Sequence, residues 1–369
     1  MKKKPIDKNS KAYKRSKRRR WIFAIEVLVV LVLMVVGAYY VFIQRQLNNI
    51  QVQQLQSENL VINEEVETDP VIQGYTNIAL FGLDTREGNL NQANSDAIII
   101  ASINNDTKEI RMVSVYRDSY LDVGGGSLGK ANSAYAIGGP DQAVSMLNAN
   151  LDLNITDYIA VDFDALAETI DGLGGLTITV TDEEAELVNG YCVETSAVTG
   201  RTYENLPGGG TYNLNGVQCV AYTRIRYTSG NDFKRTERQR EVINLMIQKA
   251  KTAGIPTLYS IAEDVFPMIL TSFSSTDLIS LGIRLLSYDM GETTGFPFLH
   301  RTSEVGYNEV PVTLASNVTR LHEFLFDRTD YVPSAAVQER SNAIINATGY
   351  NDESLASSEN YSTGGDSAQ

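Results

Sequence analysis

The sequence predicts an α/β protein: an α-β-α sandwich with a mixed central sheet, behind a single N-terminal transmembrane helix. Three observations carry this. Trp21 to Ile43 is a 23-residue apolar run with one charge, Glu26, long enough to span a hydrocarbon core. Ala97–Ile103 and Ile110–Tyr116 are β-rich runs around the turn signal Asn104–Lys108, which reads as a hairpin. Capped helical patterns alternate with further strands downstream, which calls for helices on the faces of a sheet.

The elements follow in order. Residues 1–20 form a basic tail with eleven Lys/Arg and one Asp. Beside the apolar run at 21–43, such a tail stays in the cytoplasm, so everything after it is extracytoplasmic and the chain is a single-pass type II membrane protein. Residues 44–73 read as a Gln/Asn/Glu-rich linker or stalk. The main folded domain is expected at 74–254. Within it, Thr76–Leu83, Asp157–Phe163 and Leu176–Val180 read as strands. A helix starts at Gly139-Pro140-Asp141, and Asp164 is expected to cap another. Gly190–Gly210 reads as a loop or hairpin. Asn215–Tyr222 and Thr236–Ala253 read as helices. Residues 255–345 are expected as a helical or α+β extension packed on or beside this domain, with Ser275 as a cap. Residues 346–369 are polar and expected to be disordered.

Charge sets the search for a site. The net charge is −14, and the residues after the tail carry 20 basic against 44 acidic side chains. Six cations nevertheless fall within Thr223–Arg240. A cationic island on an anionic domain points to a ligand with concentrated negative charge. An acidic extracytoplasmic domain excludes a nucleic-acid partner. Two histidines and two cysteines argue against zinc; Cys192 and Cys219 are either a disulfide or two small core residues.

Pairing the hairpin about its turn sets Asp96 opposite Arg117. An antiparallel neighbour at Thr76–Leu83 brings Asp84 alongside. Asp84, Arg86, Asp96, Arg117 and Asp118 then gather at one sheet edge, a set suited to a divalent metal bridging to phosphate oxygens. In the island, Arg224 and Arg226 alternate about Ile225 and point the same way. Arg235, Gln239, Val242 and Met246 share one helical stripe, so the first two must line a cleft or find partners. Glu237, Arg240, Glu241 and Asn244 fall on the other face and are expected to be solvated, as is Lys234. Gly124–Lys130 matches most of a Walker A loop, but Ala131 stands where Ser/Thr is required. A serine nucleophile at Ser127 lacks the preceding strand. Lys130 and Asn132 remain as phosphate-contacting candidates.

The motifs NIALFGLDTRE, SDAIIIASI, SVYRDSYLDV, GKANSAYAIGGP, VDFDALAETIDGLGG, LNGVQCVAYTRIRY and GNDFKRTERQRE follow one another between Tyr75 and Ala253. In this order, behind a type II anchor, they resemble the LytR–CpsA–Psr family of bacterial cell-wall ligases. The resemblance implies an extracytoplasmic phosphotransferase. It would move a teichoic-acid or capsular glycan from polyprenyl pyrophosphate onto the 6-hydroxyl of peptidoglycan muramic acid. Asp84 and Asp96 would hold Mg²⁺ (or Mn²⁺). Arg117, Arg224, Arg226 and Arg235 would grip the pyrophosphate, with Gln239 and Lys130 assisting. Asp232 or Asp118 would orient or deprotonate the acceptor. The same residues would serve a pyrophosphatase, and a non-catalytic lipid-glycan-binding protein is the third reading. Two positions depart from the family pattern: Asn94 stands where the family has Arg, which removes one phosphate contact, and Tyr116 stands where it has Pro, with an effect expected only on the local backbone.

Overall fold

In a computed structural model of the chain, residues 50–357 are described apart from 86–87, 227–230, 304–305 and 307, and apart from the side chains of Asn231 and Asp232. The expected tail and membrane span at 1–43, Arg86 and residues 358–369 lie outside the described residues. Among the described residues, no helix is long and apolar enough to cross a membrane.

The centre is a seven-stranded mixed sheet. Its strands are β1 (Gln51–Val52), β2 (Tyr75–Asp84), β3 (Asn94–Asn104), β4 (Glu109–Val115), β5 (Asp157–Val161), β6 (Ile269–Thr271) and β7 (Asp289–Phe296). Their spatial order is β1-β6-β5-β2-β3-β4-β7. The predicted hairpin is β3–β4, and β2 is the antiparallel neighbour of β3. β5 runs parallel to β2, so the C-terminal ends of both meet at one edge.

Consecutive isoleucines show why the sheet is covered on both faces. Ile98 and Ile100 join a core with Phe81, Leu83 and Val113. Ile99 and Ile103 join a second core with Ile78, Ile110 and Met112. Period-two alternation puts them on opposite sides of the pleat. The first face is covered by α1 (Ser133–Leu151), with helices Leu314–Phe326 and Ala335–Thr348. The second face is covered in part by Leu281 and Ile243, which lie on Ser275–Leu285 and on the long helix Asn231–Thr252. A third cluster, with Ile170, Leu176, Val188 and Cys192, joins α2 (Phe163–Gly172), α3 (Asp182–Thr199) and α4 (Gly216–Arg224) around the hairpin Leu176–Val180/Gly210–Leu214.

Several expectations change. Gly190–Gly210 is helical up to Thr199, because a capping box starts α3: Thr181 Oγ1 accepts from Glu184 N–H at 3.1 Å and Glu184 Oε2 accepts from Thr181 N–H at 3.0 Å. Asp162, not Asp164, caps α2, accepting from Ala165 N–H at 2.9 Å. Ser274 rather than Ser275 caps Ser275–Leu285. The helix expected from Gly139 is preceded by a turn from Ser133; the two meet at a break at Gly138–Gly139, where Gly139 adopts φ +64°.

Residues 255–345 are not laid beside the domain. They supply β6 and β7 to the same sheet, and they belong to one compact unit with 74–254. The linker from Ile50 onward is likewise part of the fold, since β1 pairs with β6 and Val66 and Ile72 are fully buried. At the other end, Ser357 exchanges backbone hydrogen bonds with His300 at 2.8 and 3.2 Å, so order continues past residue 345. Both cysteines are free and buried in the third cluster.

Candidate functional site

The site is organised by a β-bulge. Gly82 pairs with Ala97 and Leu83 with Ser95, which leaves Asp96 as the extra residue of β3. A bulge re-aims its side chain and ends regular pairing. Asp96 is thereby presented beside the end of β2, where Asp84 stands. Asp96 Oδ1 accepts from Arg117 Nη1 at 2.9 Å, and Asp96 Oδ2 accepts from Arg226 Nη2 at 3.2 Å. Residues 21 and 130 positions away thus converge on one carboxylate.

A cavity of about 230 Å³ opens here, lined by Asp84, Asp96, Phe163, Tyr191, Thr223, Arg224, Arg226, Arg235 and Gln239. Three arginines against two aspartates leave the lining with one net positive charge. Arg224 closes α4, and buried Ile225 turns the chain so that Arg226 reaches the same cavity. The Arg224 guanidinium is fixed by Glu194 at 2.8 Å and Thr195 Oγ1 at 3.1 Å, and it lies over the rings of Phe163 (4.8 Å) and Tyr191 (5.5 Å). Arg235 and Gln239 enter from the first turns of α5 (Asn231–Thr252), on the inward stripe the spacing predicts. Arg235 is buried, and Gln239 Oε1 is a buried acceptor with no hydrogen bond among the described residues. The lining is open to an anionic ligand with hydrogen-bond donors.

Three sequence candidates do something else. Asp118 is held by Lys130 at 2.8 Å and by Arg117 Nε at 3.4 Å. Lys130 is therefore a partner of Asp118 rather than a wall of the cavity. Asn132 works through its backbone, donating to Arg117 O at 3.0 Å and accepting from Ser95 N–H at 3.4 Å. The GGGSLGK turn binds itself: Asp122 Oδ1 accepts from the N–H groups of Gly124 and Gly126 at 2.9 and 3.1 Å. Arg86 and the Asp232 side chain lie outside the described residues.

The face of α5 expected in solvent is covered. Arg240 is 2% exposed, and its Nε donates to Thr293 Oγ1 of β7 at 3.3 Å. Burial lowers the pKa of this guanidinium, opposed by Tyr116 and Glu237. Glu241 accepts from the Tyr222 hydroxyl at 2.8 Å. Arg238 is buried and grips Glu184 at 2.8 Å. Burial alone would raise the Glu184 pKa, but hydrogen bonds from Thr181 and Arg238 bring it below the usual value. Lys234 is half-exposed and pairs with Glu237 at 2.7 Å. Tyr116 does more than shape its backbone: it is buried, edge-on to Phe233 at 4.7 Å and near His300 at 6.2 Å. That cluster ties the first turn of α5 to the strand end that carries Arg117.

Nothing in the sequence pattern marks Phe163 or Tyr191 as part of the wall. Phe163 reads as an ordinary strand end, and Tyr191 lies in the stretch that reads as a loop or hairpin. The Thr181–Glu184 capping box was the available signal.

The LytR_cpsA_psr family profile matches residues 39–305. The chain belongs to the LytR–CpsA–Psr family. Among its relatives, the polyisoprenyl-teichoic acid–peptidoglycan teichoic acid transferase TagU of Bacillus licheniformis is 28% identical over 261 residues, covering 70% of this chain and 78% of that protein. TagT of Bacillus subtilis, named for the same activity, is 25% identical over 282 residues, covering 74% and 84%. The solved structure of the LytR-CPS2A-psr family protein YwtF (TagT) with bound octaprenyl pyrophosphate lipid superposes with a TM-score of 0.50 at 20% identity, covering 81% of this chain and 99% of that one. At that identity the likeness is one of fold.

Proposed function

We propose that this LytR–CpsA–Psr protein is an extracytoplasmic, membrane-anchored phosphotransferase. It moves a teichoic-acid or capsular glycan from a polyprenyl-pyrophosphate carrier onto the 6-hydroxyl of N-acetylmuramic acid in peptidoglycan. The observation that carries this is a cavity in which Arg224, Arg226 and Arg235 face Asp84 and Asp96. Relatives named as teichoic acid transferases support it.

The guanidinia of Arg226 and Arg235 grip the pyrophosphate, and Arg117 holds Asp96 in register beneath it. Arginine suits this because its planar fork meets two phosphate oxygens at once. Charge develops on those oxygens as the acceptor hydroxyl attacks the phosphorus that carries the glycan and the bond to the bridging oxygen breaks. Polyprenyl phosphate leaves. Fixed guanidinia stabilise that charge without reorganising. Asp118 pairs with Lys130 and Arg117, and the acceptor's proton goes to Asp118 or Asp232.

Two carboxylates form an all-oxygen donor set that fits a hard divalent cation completed by phosphate and water. Among the described residues, no group of three or more His, Cys, Asp or Glu side chains is placed to hold a metal alone. Asp84 and Asp96 would hold Mg²⁺, which supplies charge neutralisation at the phosphate oxygens.

The test incubates the purified protein with a short polyprenyl-pyrophosphate oligosaccharide, with and without peptidoglycan oligomers, and measures polyprenyl phosphate. Release that depends on the acceptor supports transfer. Equal release without acceptor supports a pyrophosphatase, and no release supports a binding protein.

A further inference from the structure

Tyr191 is a cavity-lining aromatic that no step above uses. It sits on α3, half-buried, and it is anchored among the third cluster's apolar side chains. The apolar sheet face of Ile78, Ile99 and Met112 contributes none of the cavity's lining residues. A ligand with its pyrophosphate on the wall of Arg226 and Arg235 meets a second wall, where the rings of Phe163 and Tyr191 flank the Arg224 guanidinium.

The second wall has the chemistry of a saccharide subsite. Arg224 is locked by Glu194, Thr195, Phe163 and Tyr191 together, so it cannot swing to follow a ligand. The Tyr191 hydroxyl makes no hydrogen bond among the described residues, and Tyr191 lines the cavity. A hydroxyl beside a pinned guanidinium offers a donor and an acceptor at fixed positions. Sugar hydroxyls match that set, whereas an isoprene chain gains nothing from it.

We propose that Tyr191, backed by Arg224 and Phe163, reads the first sugar attached to the pyrophosphate and is a specificity-determining residue. The inference rests on the pyrophosphate reading of the cavity and names which of its walls takes the glycan.

Binding, rather than turnover, tests it. The probes are geranylgeranyl pyrophosphate and the same lipid pyrophosphate carrying one N-acetylhexosamine, each titrated calorimetrically with magnesium into wild-type protein, Tyr191→Phe and Tyr191→Ala. Tyr191→Phe keeps the ring and its packing, so it separates the hydroxyl from folding. The expected result is a five- to tenfold weaker Kd for the sugar-bearing probe in Tyr191→Phe, from one lost hydrogen bond. The loss is larger in Tyr191→Ala. The bare pyrophosphate changes by less than twofold in Tyr191→Phe. Equal weakening of both probes would place Tyr191 at the lipid or pyrophosphate and overturn the proposal. So would an unchanged Kd for the sugar-bearing probe. Wild-type protein that binds neither probe overturns the pyrophosphate reading itself, whereas binding of both without discrimination overturns only the sugar subsite.

Discussion

Arg226→Ala separates the chemical value of the cavity from its structural value. Among the described residues Arg226 makes one ion pair, with Asp96 at 3.2 Å, and its side chain is 36% exposed. Asp96 keeps Arg117 at 2.9 Å when Arg226 is removed. A partly exposed pair with a remaining partner is worth at most about 1 kcal/mol, against roughly 5–15 kcal/mol for a whole domain. The variant therefore folds. Its cavity, however, drops from one net positive charge to none, because three arginines faced two aspartates. Losing a preorganised donor at developing charge costs roughly 3–4 kcal/mol of barrier, or about 10²- to 10³-fold in rate. The assay pairs a denaturant titration with acceptor-dependent release of polyprenyl phosphate. A variant that retains wild-type stability and loses less than about threefold in rate refutes the assignment of Arg226 to the reacting phosphates.

Other predictions follow the same reasoning. Arg238→Ala reverses the order of effects: it removes a buried guanidinium from half-buried Glu184, which keeps its hydrogen bond from Thr181 N–H, and should cost about 1–3 kcal/mol in chemical denaturation, with no measurable loss contradicting the pairing. His322 is fully buried, its Nε2 donates to Leu151 O at 3.0 Å, and it stacks on Tyr331. Burial first of all lowers its pKa to about 4 from 6.5, so the unfolded chain takes up the proton before the folded one does. Stability is complete above pH 6.5 and falls as pH drops toward 4, by about 2 kcal/mol between pH 7 and pH 5. In His322→Gln that part of the pH dependence should vanish, and an unchanged slope would contradict it. Gly216→Ala sets a Cβ 2.3 Å from Ala167 O and 2.7 Å from its Cα, backbone atoms that cannot turn aside. A loss of about 1–3 kcal/mol is expected, read as a lowered denaturation midpoint.

Where the sequence was legible, one local rule governed. Ile98, Ile99 and Ile100 declare a strand covered on both faces, and the turn at Asn104–Lys108 fixes its partner. Those two facts bring Asp96 and Arg117 to one edge, and an antiparallel neighbour at Thr76–Leu83 adds Asp84. The bulge at Asp96 was not legible, because nothing in a single strand reveals a register shift against its neighbour. Arg240 and Glu241 show a second limit. A helical wheel gives the direction of a face but not what lies there, and the cover over Arg240 is Thr293, on β7 and 53 residues away. Tyr191 shows a third: the stretch Gly190–Gly210 reads as a loop or hairpin, whereas the capping box at Thr181–Glu184 starts a helix that runs to Thr199.

The proposed reaction transfers the glycan to a sugar hydroxyl rather than to water. The most direct measurement is mass spectrometry of the products after reaction in ¹⁸O-labelled water with a peptidoglycan oligomer present. The expected result is an acceptor carrying the glycan through a phosphodiester at the muramic acid 6-oxygen, with no ¹⁸O in the new linkage. Free phosphorylated glycan bearing ¹⁸O, with the acceptor unmodified, would contradict it.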